Sequence, residues 1–246
     1  MLNKDKYKSM KTGGKYLAEI LSILSEKIKP NISTQDIENW TIEFLKKNDI
    51  KSAFLGFGGY PKNICVSIND EIVHGVPNSN KIIHDGDLVS LDMGINYNGY
   101  MTDMATTVAV GKITDEEKRL LEGTEMALTR VISEIKTGDR VGKIGQIIAQ
   151  TAKEYNLKII YELTGHGVGK KLHEDPIVYN YGNENNGPIL NEGATIAIEP
   201  MFSLGSSKII TKSDKWTYST QDGSKAAHFE KTIMFMKNGV EVLTKM

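Results

Sequence analysis

Apolar residues recur near the start of the chain at helical spacing: Met10, Leu17, Ile20, Leu21, Leu24 and Ile28, with Lys15, Glu19 and Ser22 between them. The pattern predicts an amphipathic helix over about residues 5–28 that stops before Pro30. A second helix is expected from Ser33, a residue able to cap it, with Ile37, Trp40, Phe44 and Leu45 on one face. Strand-like segments follow from about 53 to 110. A third helix starts at the capping-box sequence Thr114-Asp115-Glu116-Glu117 and carries Leu120, Leu121, Leu128, Val131, Ile132 and Ile135. A fourth covers about 140–155 with Val141, Ile144, Ile147 and Ile148, and short strands fill the remainder. Helix, helix and sheet thus occur twice. This predicts an α+β architecture of two similar halves, about 5–111 and 112–246, joined in one domain over 1–246 with an antiparallel sheet backed by helices. Strand and helix do not alternate as a doubly wound parallel sheet requires.

The 246 residues are 39% hydrophobic and 25% charged, enough to bury a substantial core. Thirty Lys and Arg against 31 Asp and Glu leave a formal net charge of -1, so no global field recommends nucleic acid or an anionic membrane as the main partner. The single cysteine, Cys65, excludes an intrachain disulfide framework and suits a reducing compartment. The Lys-rich start (Lys4, Lys6, Lys8, Lys11) is not followed by a continuous apolar run, and no stretch is long and apolar enough to cross a bilayer. A cytoplasmic protein is expected.

Four segments carry candidate chemistry. In Leu88–Val110, Asn98-Gly99 separates two alternating runs, the strongest short-range hairpin signal because both turn positions need positive φ. With those residues as the turn, Tyr97 pairs with Tyr100, Gly94 with Asp103 and Asp92 with Ala105. Asp92 and Asp103 then lie diagonally on one face, roughly 7–8 Å apart along the backbone. Alone, the pair is better explained as two surface aspartates, since hairpins are commonly rimmed with acids. The second segment is Thr164-Gly165-His166-Gly167-Val168-Gly169, followed by His173. Its glycines expose an imidazole in a loop-like stretch and argue against a helix. In the third, Gly193–Met201, alternation sends Ile196 and Ile198 to one side and Thr195, Ala197 and Glu199 to the other. In the fourth, Ser224–Phe235, the residues Ala226, His228, Glu230 and Thr232 share a face, and Asn238-Gly239 beyond them forms another hairpin turn. Each glutamate alone is better explained as a solvated strand residue than as a ligand.

Taken together, the segments supply Asp92, Asp103, His166, Glu199 and Glu230. Four carboxylates meeting in one cleft would repel one another unless cations sat among them. Two divalent ions balance them, and an imidazole completes the coordination. Oxygen ligands with one nitrogen suit Co, Mn, Fe or Zn, and no thiolate zinc site is available.

This set of motifs, with Gly59-Tyr60-Pro61-Lys62-Asn63-Ile64-Cys65-Val66-Ser67-Ile68-Asn69 leading to Val73-His74-Gly75, resembles the bacterial type I methionine aminopeptidases, metallopeptidases of the pita-bread fold. The likeness runs from about residue 5 to the end. It implies that Asp92 chelates one metal, that Asp103 and Glu230 bridge the pair, and that His166 and Glu199 complete the other. His74 and His173 are implied as unliganded catalytic histidines, and Glu199 as the group that takes a proton from the attacking water. The methionine side chain is expected among Phe57, Tyr60, Cys65, Leu172 and Trp216, which without the resemblance would be read as core. The implied substrate is the N terminus of a nascent polypeptide beginning with Met, met transiently at the ribosome by a monomeric cytoplasmic enzyme. Lys231 stands where the family usually has histidine, and Phe57, Gly58 and Leu172 also depart from its pattern. Strand alternation turns Lys231 away from Glu230. Two other readings compete: a proline-directed peptidase of the same fold, and a non-catalytic peptide-binding relative.

Overall fold

In the computed structural model, which describes residues 3–245, the first half contains α1 (Lys4–Lys27), α2 (Thr34–Asn48), β1 (Lys51–Ser52), β2 (Cys65–Ile68), β3 (Glu71–Val73), β4 (Leu88–Tyr97) and β5 (Tyr100–Ala109). The second contains α3 (Asp115–Glu134), α4 (Val141–Glu154), β6 (Lys158–Ile159), β7 (Thr164–Gly167), β8 (Glu174–Tyr179), β9 (Thr195–Ile198) and β10 (Met201–Ser203). It continues through β11 (Ile209–Thr211), β12 (Tyr218–Thr220), β13 (Ala226–His228), β14 (Lys231–Met236) and β15 (Gly239–Val242). Helix starts follow their caps. Ser33 accepts from the Asp36 N–H while the Asp36 carboxylate accepts from the Ser33 N–H, and Thr114 and Glu117 repeat the arrangement at α3.

Every strand pair is antiparallel. In one sheet β4 pairs with β1, β2 and β5, and in a five-stranded sheet the order is β15-β14-β9-β7-β8. Smaller sheets run β13-β10-β6 and β11-β12-β3. Each half buries its own helix pair. Leu17, Leu21 and Leu24 of α1 and Ile37 of α2 pack with Leu91, Met93 and Ile95 of β4. Leu128 and Val131 of α3 and Ile144 and Ile148 of α4 pack with Ile196, Ile198 and Ile233. A helix pair thus backs the main sheet of each half, the arrangement expected for the pita-bread fold.

Three local expectations are corrected. Residues 53–64 hold a one-turn 3₁₀ helix, Phe57–Gly59, instead of strand, because Gly56, Gly58 and Gly59 all take positive φ. His166 stands in β7, not in a loop. Ideal Cβ atoms at Gly165 and Gly167 would strike the carbonyls of Ala197 and Asp175, so the glycines serve close approach of the neighbouring strands. The last hairpin turns at Lys237-Asn238, one residue early, since Gly239 pairs with Met236 and itself carries the positive φ of 114°.

Candidate metal centre and active-site cleft

The β4–β5 hairpin has the register expected from its turn: Tyr97 opposite Tyr100, Gly94 opposite Asp103 and Asp92 opposite Ala105. Asn98 (φ 52°) and Gly99 (φ 74°) both occupy the left-handed region. Asp92 also faces Cys65 across the β2–β4 pair. Glu199 and Glu230 are placed differently from a simple strand. Glu199 follows the end of β9, and Glu230 lies between β13 and β14. At both points the chain leaves the five-stranded sheet for the β13-β10-β6 sheet, or enters it from there. Each break turns a carboxylate into the space between the halves.

Asp103, His166 and Glu230 bring one ligand atom each within 4.8 Å of the others. His166 Nε2 lies 3.8 Å from Asp103 Oδ2 and 3.5 Å from Glu199 Oε1. Asp92 and Glu199 line the same cleft, of about 830 Å³. The His166 Nδ1 donates to the Gly167 carbonyl at 2.9 Å, because a carbonyl oxygen can only accept. Its neutral ring therefore presents a lone pair at Nε2, aimed at carboxylate oxygens. Lone pairs facing lone pairs at this range call for a proton or a cation between them.

The electrostatics agree. Burial pushes all four carboxyls above the usual range, and their neighbours' negative charge raises Asp92, Glu199 and Glu230 further. Glu230 Oε1 is buried with no hydrogen-bond partner. An orphaned buried oxygen, a converging nitrogen lone pair and oxygen-rich surroundings fit a divalent ion.

His74 and His173, the two histidines implied as catalytic, line the same cleft. His173 lies 4.1 Å, ring to ring, from His166. His74 adopts a left-handed backbone (φ 60°) beside Tyr218. Burial, then the neighbouring His173, lowers His74 and His166 to about 4, so both are neutral at pH 7. Burial also lowers His173.

Four of the five residues expected around the methionine side chain, Tyr60, Cys65, Leu172 and Trp216, share one apolar cluster. Tyr60 packs edge-on against Trp216 at 5.2 Å, and its hydroxyl donates to the carbonyls of Ile64 and Gly75. Phe57 sits instead at the rim, 43% exposed, with its ring against His173 at 5.0 Å. Phe54 takes the inner place beside Tyr60. Nothing in the sequence distinguishes Phe54 from Phe57, two aromatics of one irregular stretch.

Alternation puts His228 on the face of Glu230 without giving it a role, and the structure brings it to the site. It is fully buried, and its Nε2 lies 3.4 Å from Glu199 Oε2 without the alignment of a hydrogen bond. Lys231 points away from the cluster, donating to the Thr244 carbonyl at 2.9 Å.

A cleft lined by buried carboxylates and histidines suits divalent-metal chemistry, and the chain belongs to metallopeptidase family M24, whose pattern matches residues 8–236, which makes it a metal-dependent hydrolase. Within that family its near-full-length relatives are methionine aminopeptidases. It is 39% identical over 235 residues to the methionine aminopeptidase of Clostridium acetobutylicum, covering 96% of this chain and 94% of that one. The crystal structure of methionine aminopeptidase from Thermotoga maritima superposes with a TM-score of 0.98 at 41% identity, over 99% of this chain and 98% of that one. The prolidase of Pyrococcus horikoshii has a TM-score of 0.80 at 23% identity and shares the fold alone; this chain spans 63% of its length. Family membership implies that the chain binds divalent metal.

Proposed function

We propose that the chain removes the N-terminal methionine from newly made polypeptides by hydrolysis at a site holding two divalent ions. The observation that carries this reading is the adjacency of two features in one cleft: the Asp103–His166–Glu230 cluster and the apolar pocket of Tyr60, Cys65, Leu172 and Trp216. Asp92, Asp103, His166, Glu199 and Glu230 would hold the ions, drawn from Co, Mn, Fe or Zn. Bound there, the ions would polarise the scissile carbonyl and make water acidic enough to attack at neutral pH.

The chain's own groups do the remainder. The pocket takes the methionine side chain and excludes water from it. Asp92 marks the side on which the free α-amine lies, and this confines cleavage to a terminal residue. Glu199 accepts the proton of the attacking water and passes it toward the leaving amine. His173, beside His166, donates to the carbonyl oxygen as negative charge develops there. His74 donates toward the amide nitrogen of the departing chain.

The same reading makes the enzyme a cytoplasmic monomer that meets its substrate transiently at the ribosome. In support, no helix among the described residues is long and apolar enough to cross a membrane, and Cys65 is a free thiol.

The test is release of methionine from Met-Gly-Ser by purified protein loaded anaerobically with Fe, Mn or Co, with metal content measured in parallel. Cleavage abolished by a chelator and restored by metal is expected. Preference for an Xaa-Pro peptide would favour the proline-directed alternative, and metal binding without cleavage would favour a binding protein.

A further inference from the structure

β8 is an edge strand of the five-stranded sheet, and its register ties its outward side chains to the metal cluster. His166 pairs with Ile177 and Thr164 with Tyr179. Side chains opposite one another in an antiparallel pair share a face, so Ile177 and Tyr179 stand on the face of His166. Ile177 and Thr164 accordingly line the cleft. From the position opposite His166 to the one opposite Thr164 is two residues, about 7 Å of strand.

An aromatic group continues outward from there. Tyr181 lies 5.3 Å from Tyr179 and 5.2 Å from Tyr161, ring to ring. Ile177, Tyr179, Tyr181 and Tyr161 are 51%, 44%, 41% and 48% exposed. Tyr161 adjoins Glu162 and Leu163, which also line the cleft. The patch therefore enters the cleft at Ile177 and ends at Tyr161, the sequence neighbour of the cleft's Glu162. Exposed apolar side chains clustered beside a cleft suit a binding surface. Tyrosine suits contact with extended peptide, because a rigid ring offers broad apolar area at small entropic cost and the hydroxyl stays hydrated.

We propose that Ile177, Tyr179, Tyr181 and Tyr161 form a shelf that binds the substrate polypeptide downstream of the scissile bond, at about its third to fifth residues, favouring apolar side chains there. The proposal rests on the aminopeptidase reading. The shelf shares no residue with the methionine pocket, and an extended chain leaving the metal cluster along this face would cross it after about two residues. An unfolded N terminus is the occupant that continuity with the cleft selects. A folded partner would have no need of a surface that runs into the catalytic groove.

The experiment uses the metal-loaded enzyme and three peptides: Met-Ala-Ser, Met-Ala-Leu-Phe-Leu-Lys and Met-Ala-Gly-Ser-Gly-Lys. Wild type should cleave the apolar hexapeptide with a kcat/KM roughly fivefold to tenfold above the Gly-Ser one, expressed in KM, as expected for one or two aromatic contacts. Tyr181→Ser and Tyr161→Ser should shrink that ratio to within about twofold while leaving Met-Ala-Ser cleavage unchanged. A ratio near one in wild type, or one that survives in the double variant, overturns the shelf and leaves the aminopeptidase reading intact. Wild type that releases no methionine from any of the three peptides removes that reading and the shelf's role with it.

Discussion

Asp103 and Thr232 exchange two hydrogen bonds between the halves of the molecule. The Asp103 N–H donates to Thr232 Oγ1 at 2.9 Å, and the same hydroxyl donates to the Asp103 carbonyl at 2.8 Å. Thr107 joins the halves in the same way at His228: its hydroxyl donates to the His228 carbonyl at 2.8 Å and accepts the His228 N–H at 2.9 Å. The Glu230 N–H donates to the Ala105 carbonyl between these two links. Two segments far apart in sequence are thereby held together, and the carboxylates of Asp103 and Glu230 meet as a consequence.

Thr232→Val should therefore act at a distance from its own side chain. Valine matches the shape but leaves a buried N–H and carbonyl unpaired, a loss of about 1–3 kcal/mol. Urea unfolding should show this, and calorimetry should show weaker metal binding. Thr232→Ser keeps the hydroxyl and should restore both. A Val variant with unchanged metal affinity would mean that the link supports only the fold.

Glu199→Gln and His74→Ala should each lower turnover at least ~100-fold, the range for groups that transfer or hold a proton in the reaction. His74→Gly separates chemistry from folding. The left-handed backbone at this position suits glycine better than any other residue. The Gly variant should match the Ala variant in lost turnover and unfold at a temperature no lower than wild type. Normal turnover in purified His74→Gly would remove His74 from the mechanism.

What was legible beforehand had local causes. Asn98-Gly99 determines the register of β4 and β5, and so the diagonal relation of Asp92 and Asp103. Ser33 and Thr114 mark helix starts by their own capping bonds. The remainder depends on contacts between distant segments. Glu199 and Glu230 owe their direction to strand breaks where the chain changes sheets, which a period-two pattern hides by continuing through them. Phe54 enters the pocket, and Phe57 leaves it for the rim, because three positive-φ glycines redirect the loop between them and Tyr60. The four segments taken together supply the group of five side chains; their separate roles come from the family likeness.

His228 offers a test of how Glu199 is held. Burial, then the nearby His74, lowers His228 to about 3, so it acts as a neutral dipole at assay pH. Its Nε2 is the nitrogen facing Glu199 Oε2. His228→Leu removes that polar neighbour and should weaken metal binding by about 10–100-fold, the usual cost of losing a group that orients a ligand. His228→Gln keeps a donor and should recover most of the affinity. Equal metal dissociation constants for the Leu variant and wild type, with both folded by circular dichroism, would show that Glu199 needs no such support.

Glu38 links pH to stability away from the metal cluster. Its carboxylate, buried on α2, accepts the Asn63 N–H at 3.1 and 3.2 Å and the Asn63 Nδ2 at 2.8 Å, anchoring the stretch between Tyr60 and Cys65. Burial outweighs these bonds and raises the carboxyl above its ordinary value of 4.5. The folded state thus holds this proton more tightly than the unfolded one. Its contribution to stability is complete below about pH 4.5 and is lost as pH rises through the higher folded value. Glu38→Gln stays uncharged and can still accept from Asn63 through its carbonyl oxygen. Its Tm relative to wild type should therefore climb between pH 4 and pH 8. Because every other titrating group is common to both proteins, the difference isolates Glu38. A relative Tm that stays flat or falls over that interval would mean that the Asn63 bonds to the charged form outweigh its burial.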